Sequence, residues 1–422
     1  MSAMRWPRQQ GFIVEYKSFA DVRLEALLMK VQSKKLKILL LSLSYFCIFG
    51  YSNVSYLLPV YYSGSGFSAA EAGLLVSAFY FAALAFRLVL GNVLIRAGFR
   101  RIFVTGGVLA VVSAIWVILA KGSFICSFAA RFLFGTGTAF SQIALAAYQS
   151  LAFREEERGF AYSMIMAGGL APMMTAVPLA DMLLAAGRPD AYIMLPLLLA
   201  VAALGVTLCI NTDDVTLEAP AVRGGPLAGL GECLKMPGLV LALFSIFLFS
   251  IVDAAAAFMA PMTASLGLMA SWFLSSNAVV GVAVRLTSGK LLDRCPRRKL
   301  AAPVTAVMAF TLVLASVHPS GSSLALLGII YGAGMGLGFP LHLALVSDNA
   351  PDRLQPQAVS LMWFLYALDF ATVPLVTAFI TDFTSPVFAF RAVALFCAVG
   401  AVFAWLGWKR LSAREIAGGQ GL

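Results

Sequence analysis

Polar breaks divide this chain into apolar runs of nearly uniform length. From Lys37 onward, runs of about 20 residues, the length that crosses a bilayer's hydrocarbon core, follow one another with short interruptions. The pattern predicts twelve spans, at 38–60, 72–95, 102–120, 123–152, 160–184, 191–210, 238–261, 271–292, 300–317, 323–347, 358–381 and 387–408. The one long internal break, NTDDVTLEAPAVRGGPLAGLGECLKMP, mixes charge, glycine and proline as a linker does. It divides an all-α membrane protein into two six-helix bundles. The predicted organisation is an N-terminal extension (1–36), a first bundle (37–210), a linker (211–237), a second bundle (238–410) and a tail (411–422).

Composition agrees with the pattern and removes other classes. The chain is 61% hydrophobic and 12% charged, against roughly 25% charged residues in soluble domains. A net charge of +10 raises nucleic acid as a partner, but the basic residues fall in short loops between apolar runs rather than on one soluble face. The six cysteines, Cys47, Cys126, Cys209, Cys233, Cys295 and Cys397, form no CxxC pair and have no histidine cluster nearby. Neither a metal site nor a disulfide framework is signalled, and no cofactor is implied. With no nucleophile–base set and no phosphate loop, the chain does not read as an enzyme.

The basic residues also set an orientation. With the N-terminus in the cytoplasm, Arg96, Arg100, Arg101, Arg154, Arg158, Arg223, Lys235, Arg294, Arg297, Arg298, Lys299, Arg353, Lys409, Arg410 and Arg414 fall inside. Lys121, Arg188 and Arg391 fall outside. Both termini are therefore expected in the cytoplasm, in a multi-pass protein of a bacterial inner membrane. Residues 1–36 carry mixed charge and no signal-peptide pattern. They read as a cytoplasmic extension on the anionic membrane surface, or as dispensable if translation starts at Met29.

A repeat runs through the chain. RLTSGKLLDRCPRRK, from Arg285 to Lys299, is a polar hinge between two apolar runs, and FRLVLGNVLIRAGFRR is its earlier copy. Arg87 matches Arg285 and Gly91 matches Gly289 at an offset of 198. Arg96, Arg100 and Arg101 in the first copy answer Arg294, Arg297 and Arg298 in the second, where Asp293 adds a carboxylate. RFLFGTGTAF, with Arg131, Gly135 and Gly137, finds a partner in IIYGAGMGLGFP, with Gly332 and Gly334, at an offset of 197. Arg158 and Arg353 lie 195 apart. Taken singly, small residues at helical spacing are packing surfaces between membrane helices. Their joint repetition indicates a duplicated unit.

Twelve spans in two parallel halves, with GKLLDRCPRRK after the eighth and GNVLIRAGFRR after the second, resemble the major facilitator superfamily over residues 37 to 410. The resemblance implies a secondary transporter that works by alternating access, and a hinge loop that helps hold the cytoplasmic side shut. It implies that Asp293 meets the positive N-terminal end of the fifth span, near Arg158 and Gly159. The first copy carries Ile95 where the superfamily has an aspartate, so the expected latch is asymmetric. Gly168, Gly169, Pro172 and Pro178 in the fifth span are similar to the glycine–proline pattern of proton-linked exporters.

Candidate chemistry lies in charges that no membrane edge explains. Nearly all acidic residues sit in loops or at span ends, but Asp253 and Asp369 are mid-span, where an ionisable group is costly unless paired, protonated or facing water. They are candidates for proton coupling or substrate contact, against a plain interhelical hydrogen bond. Arg131 is a cationic candidate in the fourth span. Arg87 and Arg285, one turn before the hinge glycines, read as gating residues that snorkel to the cytoplasmic interface. His342 reads as a proton shuttle or as a satisfied core histidine. Tyr45, Asn53, Tyr56, Tyr80, Gln142, Asn277, Trp363 and Tyr366 are expected around a central cavity. The first functional reading is a monomeric exporter of a small amphiphile or metabolite driven by proton antiport. The second is proton-coupled uptake of a small organic acid, and the third is a receptor or scaffold that moves nothing.

Overall fold

A computed structural model describes residues 33–120, 122–153, 155–212, 215, 230–287, 296–317, 319–351 and 354–419, without the side chains of 87–93, 95, 96, 150, 155–160, 163, 230, 356 and 414–419. All regular structure among them is helical, as a chain in hydrocarbon requires, because a helix satisfies its own backbone polar groups. Eleven of these helices are long and apolar enough to cross a membrane. The helix Ser271–Thr287, 17 residues to the edge of the described segment, stands in the place of the eighth span.

Local signals in the sequence set the ends of the spans. Ser68 caps the second span (Ala69–Ala97) in a capping box with Glu71. Ser123 caps the fourth (Phe124–Ala152), and Ser320 with Ser323 forms a second box at the tenth (Gly321–Asp348). Each cap supplies an acceptor to amides that a helix start leaves without a partner. The first span breaks after Lys34–Val54 into a 3-10 turn, Ser55–Leu57, and a short helix, Leu58–Gly64. The seventh repeats the design as Pro237–Ala257 followed by Ala260–Ser265. Pro59 and Pro261 lie near the starts of the two short helices, 202 residues apart. The fifth is broken at Thr175, between Glu155–Met174 and Ala176–Ala185, just after Pro172, a residue that removes one helical hydrogen bond.

The two halves pack alike. In the first, span one lies on five and six, span two on four, and span three on four and six. In the second, span seven lies on eleven and twelve, eight on ten, and nine on ten and twelve. The glycine landmarks explain part of this likeness. A Cβ at Gly135 would run into the backbone of Phe79, and one at Gly332 into the backbone of Asn277. Phe79 and Asn277 are themselves 198 residues apart. Both glycines thus permit the same close crossing of two helices, and the RFLFGTGTAF repeat is a repeated packing surface.

Across the halves, the second span packs on the eleventh (Gln355–Phe383) and the fifth on the eighth. Large apolar side chains such as Leu119, Ile125 and Phe403 remain exposed on the outside, where lipid rather than water is the neighbour.

Candidate functional site

Two of the charges placed within spans, Asp253 and Arg285, lie near one another where the halves meet. Asp253, late in the seventh span, accepts a hydrogen bond from the Tyr366 hydroxyl of the eleventh. Arg285 of the eighth span lies within electrostatic reach of both Asp253 and Tyr366, and its guanidinium stands 5.6 Å from the centre of the Phe339 ring. The Arg285 guanidinium thus lies against the Phe339 ring within the field of the Asp253 carboxylate. Tyr56 of the first span is also in electrostatic reach of Asp253. The carboxylate therefore faces both halves.

An aromatic wall surrounds this group. Tyr56 and Tyr80 from the first half meet Phe258 with ring centres at 5.2 and 5.8 Å. Tyr80 also meets Phe370 at 5.8 Å, and Phe370 stacks on Tyr366 at 5.3 Å. Phe339 continues the series to Trp363 at 5.3 Å. Such a surface offers large apolar area with few polar contacts, the usual composition of a small-molecule pocket.

Asp369 sits deeper, 1% exposed, and accepts a hydrogen bond from the Ser250 hydroxyl of the seventh span. At the offsets of 202 and 201 that relate these spans, the first half has Tyr51 and Gly168 in place of Asp253 and Asp369. The fold is duplicated, but these two mid-span acids are not.

Arg131 occupies the other half. It is 1% exposed. Its Nε donates to the Leu75 carbonyl at 3.4 Å, and Nη1 to Ser55 Oγ at 3.3 Å, at the break of the first span. The Phe79 ring lies 4.8 Å from its guanidinium carbon, a cation–π distance. Nη2 has no hydrogen-bond partner among the described residues. His342 is fully buried, with Nδ1 2.7 Å from the Gly338 carbonyl and its ring 4.8 Å from that of Phe249. Its Nε2 is buried with no hydrogen-bond partner among the described residues.

Of the hinge residues, Arg100 donates to the Leu208 carbonyl at 2.6 Å, and Arg297 makes two 2.8 Å bonds to Asp348. Arg298 donates to Asn349 Oδ1 at 2.8 Å, while Arg101 is exposed. These described partners lie in the same half as each arginine. The side chains of Arg87 and Arg96, the surroundings of Gly91, and all of Gly289, Asp293 and Arg294 lie outside the described residues, as does the expected meeting of Asp293 with Arg158 and Gly159. Of the expected cavity residues, Tyr56, Tyr80, Trp363 and Tyr366 join the wall, whereas Asn277 is buried against Gly332.

Sequence reasoning missed a second set of carboxylates. Asp181, at the end of the fifth span, accepts from the Ser271 amide of the eighth at 2.7 Å. Asp382, at the end of the eleventh, accepts from the Ala69 and Ala70 amides of the second, both at 3.0 Å. A signal was present: the two aspartates are 201 residues apart.

Comparison with known proteins agrees with this architecture. A family model described as Major Facilitator Superfamily matches residues 40–268 and 242–420. A search of curated protein sequences finds no match. Among solved structures, a mutant of the nucleoside transporter NupG superposes with a TM-score of 0.70 at 15% identity, covering 89% of this chain and 99% of that one. A mutant of the peptide transporter POT in complex with alafosfalin gives 0.70 at 16% identity, covering 88% and 94%. At these identities the likeness is one of fold.

Proposed function

The chain belongs to the major facilitator superfamily and is a transporter of a small molecule, and from that premise we propose that it is a proton-driven exporter of a small amphiphilic molecule or metabolite. The observation that carries this reading is Asp253, hydrogen-bonded by Tyr366 and set in an aromatic wall built from both halves. An ionisable group this deep in a span is a functional candidate by default, and the hydrogen bond from Tyr366 ties this one to the aromatic wall. A solute bringing a donor or a positive head to Asp253 favours the ionised form. A proton removes that anchor. Proton and solute then exclude one another at a single group, which is the requirement for antiport. Asp369 with Ser250 is the second proton-binding candidate.

The two bundles rock about this midplane site, and the protein works as a monomer in a bacterial cytoplasmic membrane. The terminus-bearing face, with Lys34, Lys35, Arg100, Arg101, Arg297, Arg298 and Lys409, is the cytoplasmic one by the excess of positive charge. Arg297 and Arg298, with Arg87, Gly91, Arg96, Gly289, Asp293 and Arg294, belong to its gate.

A specific observation favours proton-coupled uptake of an organic acid as the second reading. Arg131 is buried with one nitrogen lacking a partner, and Arg285 is in reach of Asp253. Protonating Asp253 frees Arg285 for a substrate carboxylate, a charge-assisted contact. Flux in proteoliposomes under an imposed proton gradient separates the readings. Export predicts that an amphiphilic cation moves against the proton flow, and uptake that a small organic acid moves with it. If no solute moves and no proton is carried under any gradient, both readings fall.

A further inference from the structure

We propose that Asp181 and Asp382 are a pair of reciprocal latches that close the face opposite the termini, one contributed by each half to the other. Each reaches across the boundary. Asp181 belongs to the first half and binds the start of the eighth span, while Asp382 belongs to the second half and binds the start of the second span.

The amides at the start of the second span show how complete the arrangement is. A helix start leaves its first amides without intrahelical acceptors. The Ser68 amide is taken by Glu71 Oε2 at 2.8 Å, and the Glu71 amide by Ser68 Oγ at 3.2 Å. The two between them, Ala69 and Ala70, are left for Asp382, one to each carboxylate oxygen. At the eighth span the same service comes from Asp181 Oδ2 on the Ser271 amide. A carboxylate at a helix N-terminus also meets the positive end of the helix dipole, so both latches are charge-assisted as well as hydrogen-bonded.

The surroundings repeat with them. Gly73, one turn into the second span, lies against Pro374 and Ala378 of the eleventh, where an added Cβ would come within 2.9 Å of the Pro374 carbonyl oxygen. In the other seam Ser275, 202 residues later, donates to the Met173 carbonyl of the fifth span at 3.2 Å. Carboxylate, amides and close-approach residue thus recur at offsets of 201 to 202. The two latches differ in setting, since Asp181 is buried and Asp382 exposed. When the halves rock to open this face, both aspartates must leave amides that belong to the opposite bundle. They are positioning residues for the conformational step and need not touch the solute.

Amide hydrogen exchange of the detergent-purified protein tests this without knowledge of the substrate or coupling ion, so its result stands apart from the exporter reading. In Asp382→Ala, exchange at Ala69 and Ala70 should rise on the order of tenfold, the scale of a lost charge-assisted helix cap. In Asp181→Ala the rise should fall at Ser271. The double variant should also slow exchange at the opposite face, around residues 99–103 and 297–301, because opening one face closes the other. A structural role alone would loosen the latches and leave that face unchanged, and such a result would overturn the proposal. If the alanine variants do not fold, Asp181→Asn with Asp382→Asn keeps size and a neutral acceptor. The same reciprocal pattern is expected there at smaller amplitude, and its absence equally rejects the idea.

Discussion

The Tyr366 hydroxyl donates to the Asp253 carboxylate between the eleventh and seventh spans, so a titratable carboxyl and the aromatic wall are one unit. Tyr366→Phe should keep the ring stack with Phe370 and lose only the donor. Gradient-driven flux in proteoliposomes is expected to fall about tenfold, the scale of one hydrogen bond to a charged group, with the protein still folded. Wild-type flux would remove Tyr366 from the coupling unit.

Asp253→Asn and Asp369→Asn separate coupling from binding. An amide cannot take up and release the proton, so net flux should lose its dependence on the gradient while solute counterflow persists. Measuring both fluxes for each variant identifies which carboxyl carries the proton. If both variants keep wild-type gradient-dependent flux, neither does.

Gly135→Leu and Gly332→Leu should each abolish recovery of folded protein, since a side chain there meets backbone and not a movable neighbour. Overpacking of this kind costs about 1–3 kcal/mol or more. Gly334→Ala, whose Cβ would press on the flexible Met308 side chain, should lower the melting temperature only slightly. Yield of monodisperse protein in detergent tests the first two, and thermal unfolding the third.

Arg131→Ala removes a guanidinium that is cradled by Ser55, Leu75 and Phe79. Loss of packing and of the cation–π contact, about 2 kcal/mol when desolvated, should reduce stability. Arg131→Lys keeps the charge without the planar fork. Under the uptake reading, Arg131→Lys weakens apparent affinity for an organic acid while maximal flux holds. An unchanged affinity assigns Arg131 to structure.

Arg297→Ala should alter melting by less than a few degrees, because Arg297 and Asp348 form a partly exposed pair, and such pairs contribute about 0–1 kcal/mol.

Much of this architecture was legible in the residue pattern. Membrane spans advertise themselves because hydrocarbon imposes one length and one polarity on every helix, and the Gly135 and Gly332 landmarks are legible because a close crossing admits only the smallest residues. Asp253 and Asp369 stand out since a carboxyl deep in a span has few reasons to be there. The destination of Arg285 was not legible. Its distance from the hinge suits snorkelling, and the Phe339 ring and Asp253 carboxylate near it come from other spans. Asp181 and Asp382 escaped for the opposite reason: an acid at the end of a span looks ordinary until the amides it faces are known.

The breaks in the first and seventh spans have a mechanical meaning. Tyr192 donates to the Val54 carbonyl at 3.0 Å and Tyr331 to the Val252 carbonyl at 3.2 Å, so the long helix below each break is pinned by a hydroxyl from its own half. Beyond the breaks, Leu58–Gly64 and Ala260–Ser265 are levers of about 10 Å at 1.5 Å per residue, and they touch each other across the boundary. With the fulcrum already cut into the backbone, tilting a tip bends no regular helix and disturbs few of its ladder bonds. A tilt of either tip at Ser55–Leu57 or Phe258–Met259 would leave the pinned shaft below it straight.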